Sequence, residues 1–261
     1  MNFNEKLKLK CLEKNNRLCL GLDIDNKALK NNSLDYMNLY IKDIIDATID
    51  LCPIYKINFS FYERYGSKGY KILEKIPEYI NGKSISIADA KRGDIGNSSK
   101  FYAESIFNYL GYDSITVSPY MGSDSIEPFI NYKNKGVFIL ALTSNPGSVD
   151  FQKKSVNNNK LYKLVIQMCN RMNKYNNIGL VVGATNDKEL EQVGLISESI
   201  PWLMPGIGFQ GGNLEKSLKI GEKNYLSLVN VSRAILSFKD KKISDIRLAT
   251  ENYTNMIREI L

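Results

Sequence analysis

Short apolar runs rich in β-branched residues recur along the chain at 17–22, 53–57, 84–88, 114–117, 136–142, 178–182, 202–204 and 225–231. Runs of this kind read as strands buried on both faces. Longer stretches with helical spacing lie between and after them, near 35–51, 61–80, 97–111, 122–134, 160–175, 186–196, 212–222 and 243–260. In the second of these, Tyr70, Leu73 and Ile76 share one helical face. Alternation of strand and helix predicts a parallel sheet with right-handed crossovers. Eight repeats within about 250 residues match the size of a closed (β/α)8 TIM barrel. An open doubly wound sheet is the alternative. Polar residues favour the barrel, because they cluster just after the strands: Asp23, Lys56 with Asn58, Asp89 with Lys91, Thr143 with Ser144, Gln210 and Arg233. Barrel enzymes build their sites at that strand end.

No Pro/Gly/Ser-rich linker divides the sequence, so one domain over 1–261 is expected. With 43% hydrophobic and 24% charged residues, such a domain can bury a sizeable core without disulfides or a structural metal. The tract 153–160, with three consecutive asparagines, reads as a surface loop or lid. Residues 1–13 alternate polar and charged positions without the apolar core of a signal peptide, and no run approaches a membrane span. A cytoplasmic protein without a membrane partner is expected.

Composition narrows the chemistry mainly through an absence. The chain contains no histidine, which removes the usual general base near neutral pH and the commonest zinc ligand. Acid–base work must fall to Lys, Asp, Glu, Tyr or Cys. Cys11, Cys19, Cys52 and Cys169 are far apart and form no C-x-x-C, so they read as buried structural thiols, and no metal site is expected. The net charge of +7 is compatible with nucleic acid, a phosphorylated metabolite or plain solubility.

The run at 84–88 leads directly into Asp89-Ala90-Lys91-Arg92-Gly93-Asp94. Asp89 and Lys91, two apart, fall on the same side of an extended backbone, so carboxylate and ammonium point together into the barrel mouth. Asp94, past a glycine that lets the chain turn, could face the same site or a neighbouring subunit. Such charge strings are more often exposed surface; the position after an apolar strand raises the catalytic reading. The segment from Gly206 to Gly211 has the form G-x-G-x-x-G, which invites a dinucleotide. Its context argues against one, because it follows the seventh strand and Val231 stands where a ribose-binding acid is needed. A glycine-rich turn after strand 7, running from Pro205 through Gly208 to Gln210, with Ser232 and Arg233 after strand 8, is where barrels commonly bind phosphate. The Arg233 fork suits a monophosphate. Asn58, beside Lys56, is either a site contact or a local hydrogen-bond anchor.

The run Ile87-Ala88-Asp89-Ala90-Lys91-Arg92-Gly93-Asp94-Ile95-Gly96-Asn97 resembles the signature of the orotidine 5′-phosphate decarboxylases, most closely that family's second, mostly bacterial subgroup. The likeness extends through Gly21-Leu22-Asp23, Lys56-Ile57-Asn58, Phe61-Tyr62-Glu63 and Ser118-Pro119-Tyr120-Met121-Gly122 with Asp124. It continues in Thr143-Ser144-Asn145-Pro146-Gly147, Val182-Gly183-Ala184-Thr185, the stretch from Pro205 to Gly212 and Ser232-Arg233. Ile57, Ser60, Phe209 and Ala234 depart from the family's usual residues, and no charged member is lost.

The resemblance implies decarboxylation of orotidine 5′-monophosphate to uridine 5′-monophosphate without a cofactor, with Lys91 as proton donor. It places Asp89 against the departing carboxylate and Lys56 in an alternating chain of charges. Asp94 would come from the partner subunit of a homodimer. Asp23, Lys56, Asp94 and Ser98 would bind ribose hydroxyls, and Ser144 the pyrimidine amide edge. A magnesium-dependent phosphosugar lyase on the same barrel is the nearest rival, because D-x-K-x-x-D occurs there too. A non-catalytic RNA-binding reading rests on net charge and frequent Tyr/Lys alone. No basic-aromatic module supports it, so no nucleic-acid partner is expected.

Overall fold

The computed structural model of the chain describes every residue except 26–28, 30, 32, 184–186 and 207–212. Eight parallel strands close into a barrel: β1 (Leu18–Gly21), β2 (Ile54–Asn58), β3 (Ile85–Arg92), β4 (Ser114–Val117), β5 (Gly136–Leu142), β6 (Ile178–Val182), β7 (Trp202–Met204) and β8 (Ser227–Val231). Neighbours in the barrel are neighbours in sequence, and β8 closes on β1 by pairing Leu18 with Val229 and Cys19 with Asn230. The open-sheet alternative is thereby excluded. Among the described residues no helix is long and apolar enough to cross a membrane.

Two apolar layers account for the burial. The larger lies between strands and outer helices and includes Leu18, Leu20, Tyr55, Ile57, Ile115, Val137, Ile139 and Trp202. The smaller fills the barrel interior with Cys19, Ile54, Ile85, Ile87, Phe138, Val181, Leu203 and Leu228. Strand side chains alternate between the two layers, which is why these strands read as continuous apolar runs. All four cysteines are free and buried, and burial pushes the thiols of Cys11, Cys52 and Cys169 up to about 12.

The interior is closed from below by a helix that sequence patterning does not reveal. Phe3–Glu13 is capped by Asn2, whose side chain accepts from the Glu5 N–H while Glu5 reaches back to the Asn2 N–H. It buries Phe3, Leu7 and Cys11 together with Asn4, so its apolar stripe is only one residue wide and leaves little periodic signal. Phe3 meets Phe138 edge-on, ring centroids 6.3 Å apart, and a Cβ on Gly136 would fall 2.1 Å from the Phe3 ring. The first barrel layer is thus packed around an aromatic plug.

Other differences from the patterning are local. The expected helix at 61–80 is two pieces, Ser60–Glu63 and Ser67–Ile80, broken at Gly66, whose φ is +58°. Leu73 and Ile76 are buried on the second piece, whereas Tyr70 lies at the edge of that face, half-exposed, with its hydroxyl on Glu63. The helix expected at 97–111 is Gly96–Glu104 followed by a π turn, Ser105–Tyr109. The tract 153–160 contains a small antiparallel hairpin, Ser155–Val156 against Asn159–Lys160. Asn157 and Asn158, at φ 49° and 65°, supply its left-handed turn, which asparagine tolerates better than other side chains.

Candidate active site

Lys56, Asp89, Lys91 and Asp23 converge at the C-terminal rim of β1–β3. Lys56 replaces an apolar residue at an inward position of β2, one layer above Ile54, and is only 6% exposed. Its Nζ lies 3.2 Å from Asp89 Oδ2 and 3.5 Å from Asp23 Oδ1. Asp23 Oδ1 also accepts from the Asn58 N–H at 3.3 Å, which ties the end of β1 to the end of β2. Burial alone would lower the Lys56 pKa, but the carboxylates of Asp23 and Asp89 outweigh it and hold the ammonium above the ordinary lysine range.

Asp89 carries the densest set of contacts. Its Oδ1 takes the Lys91 ammonium at 2.6 Å and the Thr116 hydroxyl at 2.9 Å, while Oδ2 takes Lys56. Burial works against the carboxylate, yet the two ammonium groups and these hydrogen bonds pull its pKa down to about 2. Asp89 is therefore an anion at neutral pH. The order along the rim is Asp23, Lys56, Asp89, Lys91, alternating in sign.

Lys91 reaches Asp89 by a route that simple alternation does not describe. Ala88 pairs with Ile115 and Arg92 with Val117, so β3 carries two residues more than β4 between these pairs. Within this bulge Lys91 takes φ 46°, a left-handed conformation that costs a side-chain-bearing residue about 1–3 kcal/mol. The result folds its ammonium back onto Asp89 while the side chain stays 48% exposed. Arg92 turns the other way, pairing with Glu63 and lying over the Phe59 and Tyr102 rings at 5.9 and 5.3 Å.

Lys56, Asp89 and Lys91 open into a cavity of about 300 Å³, lined also by Asn58, Ser144 and Pro205. A second cavity of about 200 Å³ adjoins it, sharing Ser144, Pro205 and Asn230 and adding Asp23, Ser232 and Arg233. The ends of β1 and β8 lie close there: a Cβ on Gly21 would fall 2.7 Å from Ser232 Cβ. The β6 end is equally close to the Ser144 backbone, since a Cβ on Gly183 would fall 2.7 Å from the Ser144 nitrogen. Asn58 serves both alternatives, lining the first cavity while its Oδ1 accepts from the Ser60 N–H and hydroxyl.

Two expected site residues stand apart from this cluster. Asp94 accepts from the Ile95 N–H, Ser98 is exposed on Gly96–Glu104, and neither lines the two cavities. Gly208 and Gln210 lie outside the described residues, as does the rest of 207–212.

Three residues escaped the sequence reading. Thr116 looks like an ordinary strand residue. Asn230, whose Oδ1 is buried without a hydrogen-bond partner among the described residues, pairs in register with inward-facing Cys19. Gln152 pins the start of the loop after β5, accepting from the Thr143 N–H at 2.7 Å and donating to its hydroxyl at 2.8 Å. A polar residue at an inward strand position would have flagged the first two.

The profile of the orotidine 5′-phosphate decarboxylase / HUMPS family matches residues 16–244. The orotidine 5′-phosphate decarboxylase of Dehalococcoides mccartyi strain BAV1 is 46% identical over 244 residues, covering 90% of this chain and 89% of that one. The protein of the same name from Bacteroides fragilis strain YCH46 is 42% identical over 92% of this chain and 88% of its own length. Among solved structures, Leishmania donovani OMP decarboxylase superposes with a TM-score of 0.86 at 34% identity, covering 99% of both chains. Plasmodium berghei orotidine 5′-monophosphate decarboxylase gives 0.85 at 29% identity, over 99% of this chain and 98% of that one.

Proposed function

The chain belongs to the orotidine 5′-phosphate decarboxylase / HUMPS family, and from that premise we propose that it converts orotidine 5′-monophosphate to uridine 5′-monophosphate and CO2, a step of pyrimidine synthesis, without a cofactor. The observation that carries this reading is the Lys91 ammonium, open to the cavity and seated on a buried, ionised Asp89. Breaking the C6–carboxylate bond leaves an electron pair in the ring plane, orthogonal to the π system, where resonance cannot spread it. A placed cation can stabilise that pair as it forms, and the same group can then deliver a proton. In the proposed sequence CO2 departs, the pair remains on C6, a proton moves from Lys91 Nζ to C6, and the neutral amine regains a proton from solvent.

Asp89 would hold Lys91 charged and oriented, and stand against the substrate carboxylate. Lys56, clamped between Asp23 and Asp89, would extend the charge array to the ribose, which Asp23 and Ser98 would also bind. Ser144 would read the pyrimidine edge. Pro205, Gly208, Gln210, Ser232 and Arg233 would hold the phosphate, binding energy far from the bond that breaks. The Ser232 hydroxyl supports this reading, being buried beside Arg233 without a hydrogen-bond partner among the described residues. We assign the chain to the family's second, mostly bacterial subgroup, which the run from Ile87 to Asn97 most resembles.

The magnesium-dependent rival is disfavoured by the donor chemistry. Asp23 and Asp89 are already bridged by the Lys56 ammonium, so a divalent ion would have to displace it. Purified protein is expected to consume orotidylate, followed by its absorbance, at the same rate with and without EDTA. A dependence on added magnesium would overturn the cofactor-free reading.

We further propose a homodimer in which Asp94 completes the partner's site and contributes to ribose binding and to the charge array. Ile95, Phe101, Tyr102, Tyr120, Met121 and Phe151 are exposed apolar side chains on segments following β3, β4 and β5. A second copy would cover them. Mixed chains carrying Lys91→Ala and Asp94→Ala, each inactive alone, are expected to regain activity, because one of two sites in the heterodimer is then intact. Demonstrated heterodimers without activity would argue against sharing.

A further inference from the structure

Thr116 stands on β4 opposite the bulge of β3, between the residues that pair with Ala88 and Arg92. Its side chain is 1% exposed. The hydroxyl accepts from the Lys91 backbone N–H at 3.0 Å and donates to Asp89 Oδ1 at 2.9 Å. Both directions are fixed by chemistry: an N–H can only donate, and an ionised carboxylate can only accept, so the single hydroxyl proton goes to Asp89. The same Asp89 oxygen receives the Lys91 ammonium. One hydroxyl thus holds the backbone of Lys91 and the carboxylate on which its side chain rests.

Lys91 needs such a hold. Its backbone is left-handed, and half of its long side chain is free of protein cover. Without the hydroxyl, the Lys91 N–H faces an apolar group inside the barrel wall, and the bulge can relax toward a regular ladder that re-aims the side chain.

We propose that Thr116 is a positioning residue that locks the Asp89-Ala90-Lys91 bulge so that the Lys91 ammonium stays on the cavity side of Asp89. The reaction it serves is the decarboxylation proposed above, and the inference rests on that reading for its kinetic consequence only.

The test compares Thr116→Val, which keeps the branched shape, with Thr116→Ser, which keeps the hydroxyl. Thr116→Val is expected to lower kcat about ten- to hundredfold with KM within about threefold, since a small misplacement of a reacting group has this cost. Thr116→Ser is expected to recover at least about a third of wild-type kcat, as an intact hydroxyl bridge requires. Amide hydrogen exchange supplies a readout independent of substrate: the Lys91 N–H is expected to exchange at least about tenfold faster in Thr116→Val, as loss of its acceptor requires, with the amides of Ile87 and Val117 unchanged. Wild-type kcat in Thr116→Val, a Thr116→Ser variant as impaired as Thr116→Val, or unaltered exchange at Lys91 would each overturn the proposal. If Thr116→Val fails to fold, Thr116→Ala replaces it. If neither folds, the hydroxyl serves the barrel instead of Lys91 and the proposal falls. Wild-type protein inactive on orotidylate would remove the decarboxylase reading alone, and the exchange measurement then decides the role of Thr116.

Discussion

Replacing Lys91 with alanine is expected to lower kcat by about a thousandfold or more while leaving thermal unfolding close to wild type. The magnitude follows from charge placement: a unit charge pair 4 Å apart is worth about 4 kcal/mol at an effective dielectric of 20, and each 1.36 kcal/mol is about tenfold in rate. Loss of the proton donor adds to this. The fold is expected to survive because the side chain is half-exposed and alanine meets no worse backbone strain at φ 46° than lysine does. Asp89 keeps Lys56 and Thr116 as partners. Steady-state kinetics with a parallel melting curve checks both halves. Residual kcat near wild type would remove Lys91 from the proton-donor role.

The second large effect is expected at the other end of the substrate. Arg233 follows β8, exposed, at the cavity that adjoins the charge array. Arg233→Ala is expected to lower kcat/KM for orotidine 5′-monophosphate roughly ten- to hundredfold, the range of a charge-assisted hydrogen bond of about 1.5–3 kcal/mol. For orotidine, which lacks the phosphate, the loss is expected to be within about threefold, because no interaction with Arg233 is then removed. Equal losses on both substrates would contradict a phosphate grip and make the arginine a structural element of the rim.

The barrel was legible because its strands are buried on both faces and therefore read as uninterrupted apolar runs, each falling within or beside a strand. What escaped has identifiable physical causes. Residues 3–13 contribute one buried apolar side chain per turn, beside a buried asparagine, a stripe too thin to register as amphipathic. Strand β3 extends past Ala88 to Arg92 because the bulge lets polar residues continue the pairing, where patterning sees only the end of an apolar run. The proximity of Asp89 and Lys91 was anticipated from period-two alternation, but the contact depends on a left-handed lysine and a hydroxyl from the neighbouring strand. Thr116 is polar at an inward strand position, but threonine is among the commonest strand residues and its role exists only across the β3–β4 pair, so the signal marks the position and not the partner. Asp94 and Ser98 line neither of the two cavities of one chain, and the mixing experiment tests whether Asp94 serves a second subunit.

The aromatic stopper beneath the barrel has a bearing on traffic through the molecule. With Phe3 seated against Gly136 and its ring edge-on to Phe138, the well has a floor among the described residues, so the nucleotide, escaping gas and replenishing proton of the proposed reaction would share the upper rim. Whatever segment covers that rim would govern arrival and departure together.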